Sequence, residues 1–177
     1  MSVHKLYRDM KSQGISLSKD TLYEYIEYLH EAYIIFPVVK YSQSVRVQTQ
    51  NPSKYYVIDT GLMQPFVPDT RQDWGKKLEN AVYLHLRINR QNEDIYYFKN
   101  KFEIDFVYNF KNDLYMMNVA FEVNDTLTAE RERSGLLEGK QHFPDARTGL
   151  ILNDWQPALI PNHIQVLPAW RFLIGEA

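Results

Sequence analysis

The chain of 177 residues contains no cysteine. That excludes disulfides, cysteine-bound zinc and thiol nucleophiles together. It also lacks a basic excess: the formal net charge is −2. Neither residues 1–62 nor residues 63–177 form a basic module. Proteins that neutralise nucleic-acid phosphates draw on such an excess, so charge does not favour DNA as a partner. No run approaches the ~18 apolar residues of a transmembrane helix, and the start lacks the apolar stretch of a signal peptide. A soluble cytoplasmic protein without a membrane partner is expected. Glycine is scarce, with seven residues, and none stands in a GxxxxGK[ST] loop. Without that loop the chain cannot cradle ATP phosphates in the P-loop manner. No internal repeat or low-complexity tract is present.

What the chain has is aromatic side chains: 13 Tyr, 9 Phe and 3 Trp within 45% hydrophobic residues. These bury large areas and allow a sizeable core. In residues 1–62, Ser2 is placed to cap a helix with Val3, Leu6, Tyr7 and Met10 on one side, closed by Gly14. Ser18 is placed to cap a second helix to about Glu31, with a buried stripe of Leu22, Tyr25, Ile26, Leu29 and Tyr33. Apolar runs at 33–39 and 55–58 flank a polar stretch at 42–53. Two helices followed by a two-stranded ribbon read as a winged-helix domain over 1–62. Its second helix would be the one to enter a DNA groove. Projection at about 100° per residue puts Asp20, Glu24, Glu27 and Glu31 on the face that would meet DNA. Lys19 is the one basic residue on that helix. An acidic face repels phosphates, so packing or protein contact is the favoured use. Lys40, Arg46 and Lys54 of the wing remain able to touch a nucleic-acid backbone.

The turn Asp59-Thr60-Gly61-Leu62 and a loop with Pro65, Pro68 and Asp69 open the second part, 63–177. A helix is expected at 73–89 with Trp74, Leu78, Val82 and Leu86 on its apolar side. Strands are expected at 94–99, 102–108 and 114–121, joined by turns at 100–101 and 109–113. A helix at about 128–143 and short strands at 148–152 and 163–167 follow, then an apolar stretch at 170–174. This order predicts an α+β or α/β domain: a mixed sheet flanked by helices.

Two carboxylates stand out. Glu79 lies beside the apolar stripe of the first helix of this part, where an acid needs a partner. Asp105 lies in Glu103-Ile104-Asp105-Phe106-Val107, where alternation puts Glu103 and Asp105 on one face. Metal-dependent nucleases use a helix acid, then a strand acid, then a third strand with an acid and a lysine, the acids holding Mg²⁺. The third strand here has Asn118 and Ala120 at those two positions. Asn is a weak neutral ligand at the third-acid position, and Ala offers no charge. Glu122 lies one step further, and Lys99 and Lys101 are placed to reach in from the preceding hairpin. The competing reading of Glu79 and Asp105 is a polar pair with Lys or Arg at the sheet edge, or the relic of an older site.

The stretches 14–29 and 51–62, together with Leu78-Glu79-Asn80, 103–107 and the closing Gln165-Val166-Leu167-Pro168-Ala169-Trp170, resemble the C-terminal region of a family of archaeal and bacterial AAA-type ATPases. The resemblance covers nearly the whole chain. It implies a winged helix followed by a domain similar to the PD-(D/E)XK restriction-endonuclease fold. It also implies an N-terminal ATPase module that holds ATP and is absent from these residues. By this resemblance Glu79 falls at the helix acid, Asp105 at the strand acid, and Asn118 and Ala120 at the ExK positions. The site residues are then Glu79 and Asp105 as vestigial catalytic or metal positions, with Asn118 at the third. The expected function is a non-catalytic regulatory or target-binding region of an ATP-binding protein. Its partners would be the ATPase module and an unknown protein target, with no cofactor in this part. The alternative is a metal-dependent DNA nuclease, with Mg²⁺ bound only if the site is active, or a DNA-binding winged helix. The non-catalytic reading predicts an exposed apolar patch around Val3, Leu6 and Met10, where the ATPase module would dock.

Overall fold

The computed structural model describes residues 3–42, 44–63, 71–89, 95–123, 126–154 and 164–175. Ser2, the loop at 65–69, Asp94 and His163 lie outside them.

The first part begins with α1 (Val3–Ser12) and α2 (Lys19–Glu31). Gly14 closes α1 with φ of +81°, a conformation that costs glycine little because it has no Cβ. The Ser18 side chain accepts a hydrogen bond from Thr21 N at 3.0 Å and so caps α2, as its position predicts. β1 (Ile35–Val38) and β2 (Lys54–Val57) pair antiparallel, Ile35 opposite Val57. The polar stretch between them is not an open wing. It carries a short helix, α3 (Val45–Gln50), held by Gln48 Nε2 donating to Ser42 O at 2.8 Å.

The expected buried stripe of α2 is the main departure. Leu22 is buried at 4% exposure, but Leu29 is 40% exposed, Tyr25 54% and Tyr33 66%. α1 buries none of its residues. The pattern is amphipathic, yet only α1 and the ribbon are available to cover it, and they leave the aromatic side bare.

The second part runs α4 (Arg71–Asn89), β3 (Tyr96–Lys99), β4 (Glu103–Phe110), β5 (Asp113–Ala120), α5 (Thr126–His142), β6 (Arg147–Leu152), β7 (Gln165–Pro168) and α6 (Ala169–Leu173). The strands form one mixed sheet in the order β3-β4-β5-β6-β7. β3, β4 and β5 are antiparallel neighbours, while β6 and β7 run parallel to β5. Positive φ at Lys111 and Asn112 turns β4 tightly into β5, as a two-residue hairpin loop requires. The apolar stretch at 170–174 is mostly the short helix α6.

Two apolar layers sandwich the sheet. On one side Val82 and Leu86 of α4 pack with Phe106, Tyr108, Met117 and Ile151. Phe36, Val38 and Tyr56 of the ribbon join the same core, and the Tyr56 ring stacks on Tyr83 at 4.3 Å. On the other side α5 packs through Ala129 and Leu136 against Ile104, Val107, Met116 and Leu150. A Cβ at Gly135 would meet the carbonyl oxygen of Glu103 at 2.8 Å, so the absence of a side chain lets α5 lie against β4.

One irregularity positions the site. Tyr96 pairs with Val107 but Phe98 with Ile104, so β4 holds an extra residue within 105–106. Ile104 and Val107 pack in the α5 layer while Phe106 and Tyr108 pack in the α4 layer. Strict alternation would not place 104 and 107 together. Such bulges bend a strand and re-aim its side chains, and here the bulge lies at Asp105.

Candidate functional site

Lys54, Glu79, Glu103 and Asp105 come from β2, α4 and β4, and they meet at one point. The Lys54 Nζ lies 3.2 Å from Glu79 Oε1, 2.8 Å from Glu103 Oε1 and 2.8 Å from Asp105 Oδ1. An ammonium has three N–H donors, and each carboxylate takes one. Glu79 Oε1 also accepts the Tyr56 hydroxyl at 2.6 Å. Lys54 and Tyr56 reach the same carboxylate because they are two residues apart on β2. Asp105 Oδ2 accepts from Val119 N at 3.0 Å, and Lys99 binds the free oxygen of Glu103 at 2.7 Å.

The neighbouring Asn80 holds this arrangement in place. It is buried, its Oδ1 accepts from Val57 N at 2.8 Å and its Nδ2 donates to Val57 O at 2.9 Å. Its amide thus pairs with β2 as a further strand would, clamping α4 to the ribbon.

A second polar group stands beside the first. Asn118 Oδ1 accepts from the backbone N–H of Asp105 at 3.2 Å, while its Nδ2 donates to Glu132 Oε2 at 2.7 Å. Arg131 chelates the other oxygen of Glu132 through Nε at 3.0 Å and Nη2 at 2.7 Å. A cleft of about 670 Å³ is lined by both groups, including Glu79, Glu103, Asp105, Ala120, Arg131 and Glu132.

The electrostatics follow from burial and proximity. Burial alone would lower the pKa of Lys54, but attraction to Asp105, Glu79 and Glu103 outweighs it and holds the proton far more tightly than usual. Burial, reinforced by repulsion from Asp105, raises Glu79 despite the pull of Lys54. Burial also pushes Glu103 up, but Lys54 and Lys99 overcome it and leave its carboxyl below the usual range. Burial raises Glu132, with Asp105 adding to it and Arg131 and Asn118 opposing it.

The structure therefore brings Glu79 and Asp105 together and adds Glu103. Asn118 does not line the cleft; it is turned into the bond with Glu132 on α5. Ala120 lines it without charge, and Glu122 stands at its lining. Lys99 reaches Glu103, whereas Lys101 contributes its backbone N–H to Glu138. Sequence reasoning treated Lys54 only as a wing residue and missed Glu132 altogether. A signal for Glu132 existed. Ala129, Glu132 and Leu136 follow the i, i+3, i+7 spacing of a buried stripe, where a carboxylate requires partners.

A divalent ion at the meeting point of Glu79, Glu103 and Asp105 would need their oxygens free to surround it. One oxygen of each is already spent on the ammonium. Among the described residues no three His, Cys, Asp or Glu side chains are arranged to hold a metal ion. With the ammonium in place, the residues do not fit Mg²⁺.

The fold and site thus define an α+β protein with a five-stranded mixed sheet, flanking helices and a lysine-centred carboxylate cleft. No described helix is long and apolar enough to cross a membrane. Residues 2–72 match the family model described as a domain of unknown function (DUF8612). The chain is similar to an uncharacterized protein of Methanocaldococcus jannaschii, 34% identical over 135 residues that make up 75% of this chain and 29% of the relative. It is also similar to an uncharacterized protein of Haemophilus influenzae, 23% identical over 139 residues, 78% of this chain and 34% of the relative. The chain therefore spans about a third of the length of these curated relatives. No solved structure matches it.

Proposed function

We propose that this chain is a non-catalytic regulatory or target-binding region of a longer AAA-type ATP-binding protein, built as a winged helix joined to a nuclease-like domain whose site has become structural. The observation that carries the reading is the Lys54 ammonium bonded to all three carboxylates of the cleft. Two further features support it. The relatives are much longer than this chain, which leaves room for an ATPase module that holds ATP. Val3, Leu6 and Met10, where the docking patch was expected, are half-buried, whereas an apolar surface around Tyr25, Leu29, Tyr33, Ile34 and Ile58 is exposed, as a docking face for that module or for a protein target would be. Asp20, Glu24 and Glu27 of α2 are exposed as well, and their charge disfavours DNA there.

The nuclease-like ancestry is supported by the convergence of Glu79 with Asp105 from a helix and the following antiparallel strands. Asn118 and Ala120 leave the two motif positions of the third strand without acid or lysine. Incubation of the chain with supercoiled plasmid in Mg²⁺ or Mn²⁺ tests the reading. The DNA is expected to stay supercoiled. Nicking that disappears in both Asp105→Asn and Glu79→Gln would establish the alternative, a metal-dependent nuclease.

A further inference from the structure

The geometry points to Lys54 as a tethered replacement for a divalent cation: the ribbon carries into the cleft, as part of the polypeptide, the positive charge that the carboxylates would otherwise take from solution. This deepens the reading of the cleft as nuclease-like and non-catalytic, and rests on it.

Three observations converge on this assignment. The first is stoichiometric. The ammonium has three donors, and it meets one oxygen from each of Glu79, Glu103 and Asp105 within 3.2 Å. No donor of the lysine is left over. The second is the charge count. One ammonium carries half the charge of a divalent ion, and Lys99 supplies the remainder by binding Glu103 Oε2 at 2.7 Å while Lys54 holds its Oε1. Two lysines on opposite sides of Glu103 together bring the charge of one divalent ion.

The third is the rigidity of the tether. Lys54 is the first residue of β2, and β2 is fixed by pairing with β1, by the Tyr56–Tyr83 stack and by the two bonds from Asn80. A cation attached to so well anchored a strand stands at high effective concentration beside its carboxylates. A free ion in solution must displace it and desolvate as well. Rotation of the flexible lysine side chain can vacate the position, but the anchored Cα keeps the ammonium within reach of its carboxylates.

The test compares the whole chain with Lys54→Met and with Lys54→Met/Asp105→Asn, reading the melting temperature and Mn²⁺ binding by electron paramagnetic resonance. In the wild type, millimolar Mn²⁺ is expected to leave the melting temperature unchanged and to remain free in solution. Lys54→Met leaves three facing carboxylates without their cation, and its melting temperature should fall by about 10 °C. Millimolar Mn²⁺ should restore at least half of that loss, since a ligand that binds only the folded state raises stability by mass action. Adding Asp105→Asn should abolish both Mn²⁺ binding and the restoration. Mn²⁺ binding by the wild type would overturn the assignment. So would a Lys54→Met protein that binds no Mn²⁺, or that stays unfolded whether or not Mn²⁺ is present. Plasmid nicking by the wild type without Mn²⁺ held at this cleft would sink the non-catalytic reading and leave the tethered cation standing.

Discussion

Two helices of this molecule carry apolar residues at helical spacing, and the fold treats them differently. In α4, Val82 and Leu86 are completely buried between the sheet and the ribbon. In α2, Leu22 is buried while Tyr25 and Leu29, with Tyr33 just beyond the helix, stay in contact with solvent. The difference lies in the surface available to each. A five-stranded sheet offers a wide apolar layer, and α4 lies along it. A two-stranded ribbon and a ten-residue helix offer much less. An amphipathic pattern states that a helix has a side to bury. It does not state that the cover is within the same stretch of chain.

The comparison can be broken at either helix. The largest effect is expected at the buried one: Leu86→Ala should cost about 3 kcal/mol in urea unfolding, the usual loss for a buried leucine truncated to alanine. A loss under about 1 kcal/mol would mean that α4 is not the core helix. Next in size is Asn80→Ala, which strands the N–H and C=O of Val57 and should cost about 2 kcal/mol. The same variant should loosen the ribbon, read as faster amide hydrogen exchange at Val57 than in the wild type.

A smaller, pH-dependent effect belongs to Glu132. Its pKa is raised in the folded state by burial, so the folded chain keeps this proton at pH values where the unfolded chain has lost it. That contribution is complete below the unfolded value and is lost as pH rises through the folded one. Glu132→Gln removes it. The variant should therefore gain stability relative to the wild type as pH rises from the ordinary carboxylate range through the raised folded value, measured as the difference in melting temperature. A difference that stays flat, or moves the other way, contradicts the burial of a titrating carboxylate there. The smallest effects are expected on the bare side of α2. Tyr25→Ser and Leu29→Ser should each change stability by no more than about 0.5 kcal/mol. Losses several times larger would show that this side is packed.

Much of the fold was legible in the residues. The Ser18 cap, the Gly14 stop, the paired runs of the ribbon and the helix–three strands–helix–strand order are local signals, and the structure follows them. Helical and strand periodicities aimed Glu79 and Asp105 separately, but whether the two converge was not legible in the residues. Neither was the centre of the site. Lys54 lies 25 residues from Glu79 and 51 from Asp105, and only the docking of the ribbon onto α4 brings it in. The bulge at 105–106 has no residue signature, since nothing in Ile104-Asp105-Phe106 demands an extra residue. Asn118 was read only as the occupant of the third-acid position, by its place on the third strand. Its amide joins the Asp105 backbone to Glu132, a contact set by the close approach of α5, which Gly135 permits, and no sequence pattern announces it.

The central claim is that Lys54 is the cation on which the carboxylate cleft depends. A double-mutant cycle tests it most directly: urea unfolding of the wild type, Lys54→Met, Asp105→Asn and the double variant. If the ammonium and this carboxylate compensate one another, the two single losses exceed the double loss, with a coupling of about 2 kcal/mol. Losses that add to within about 0.5 kcal/mol would contradict the account.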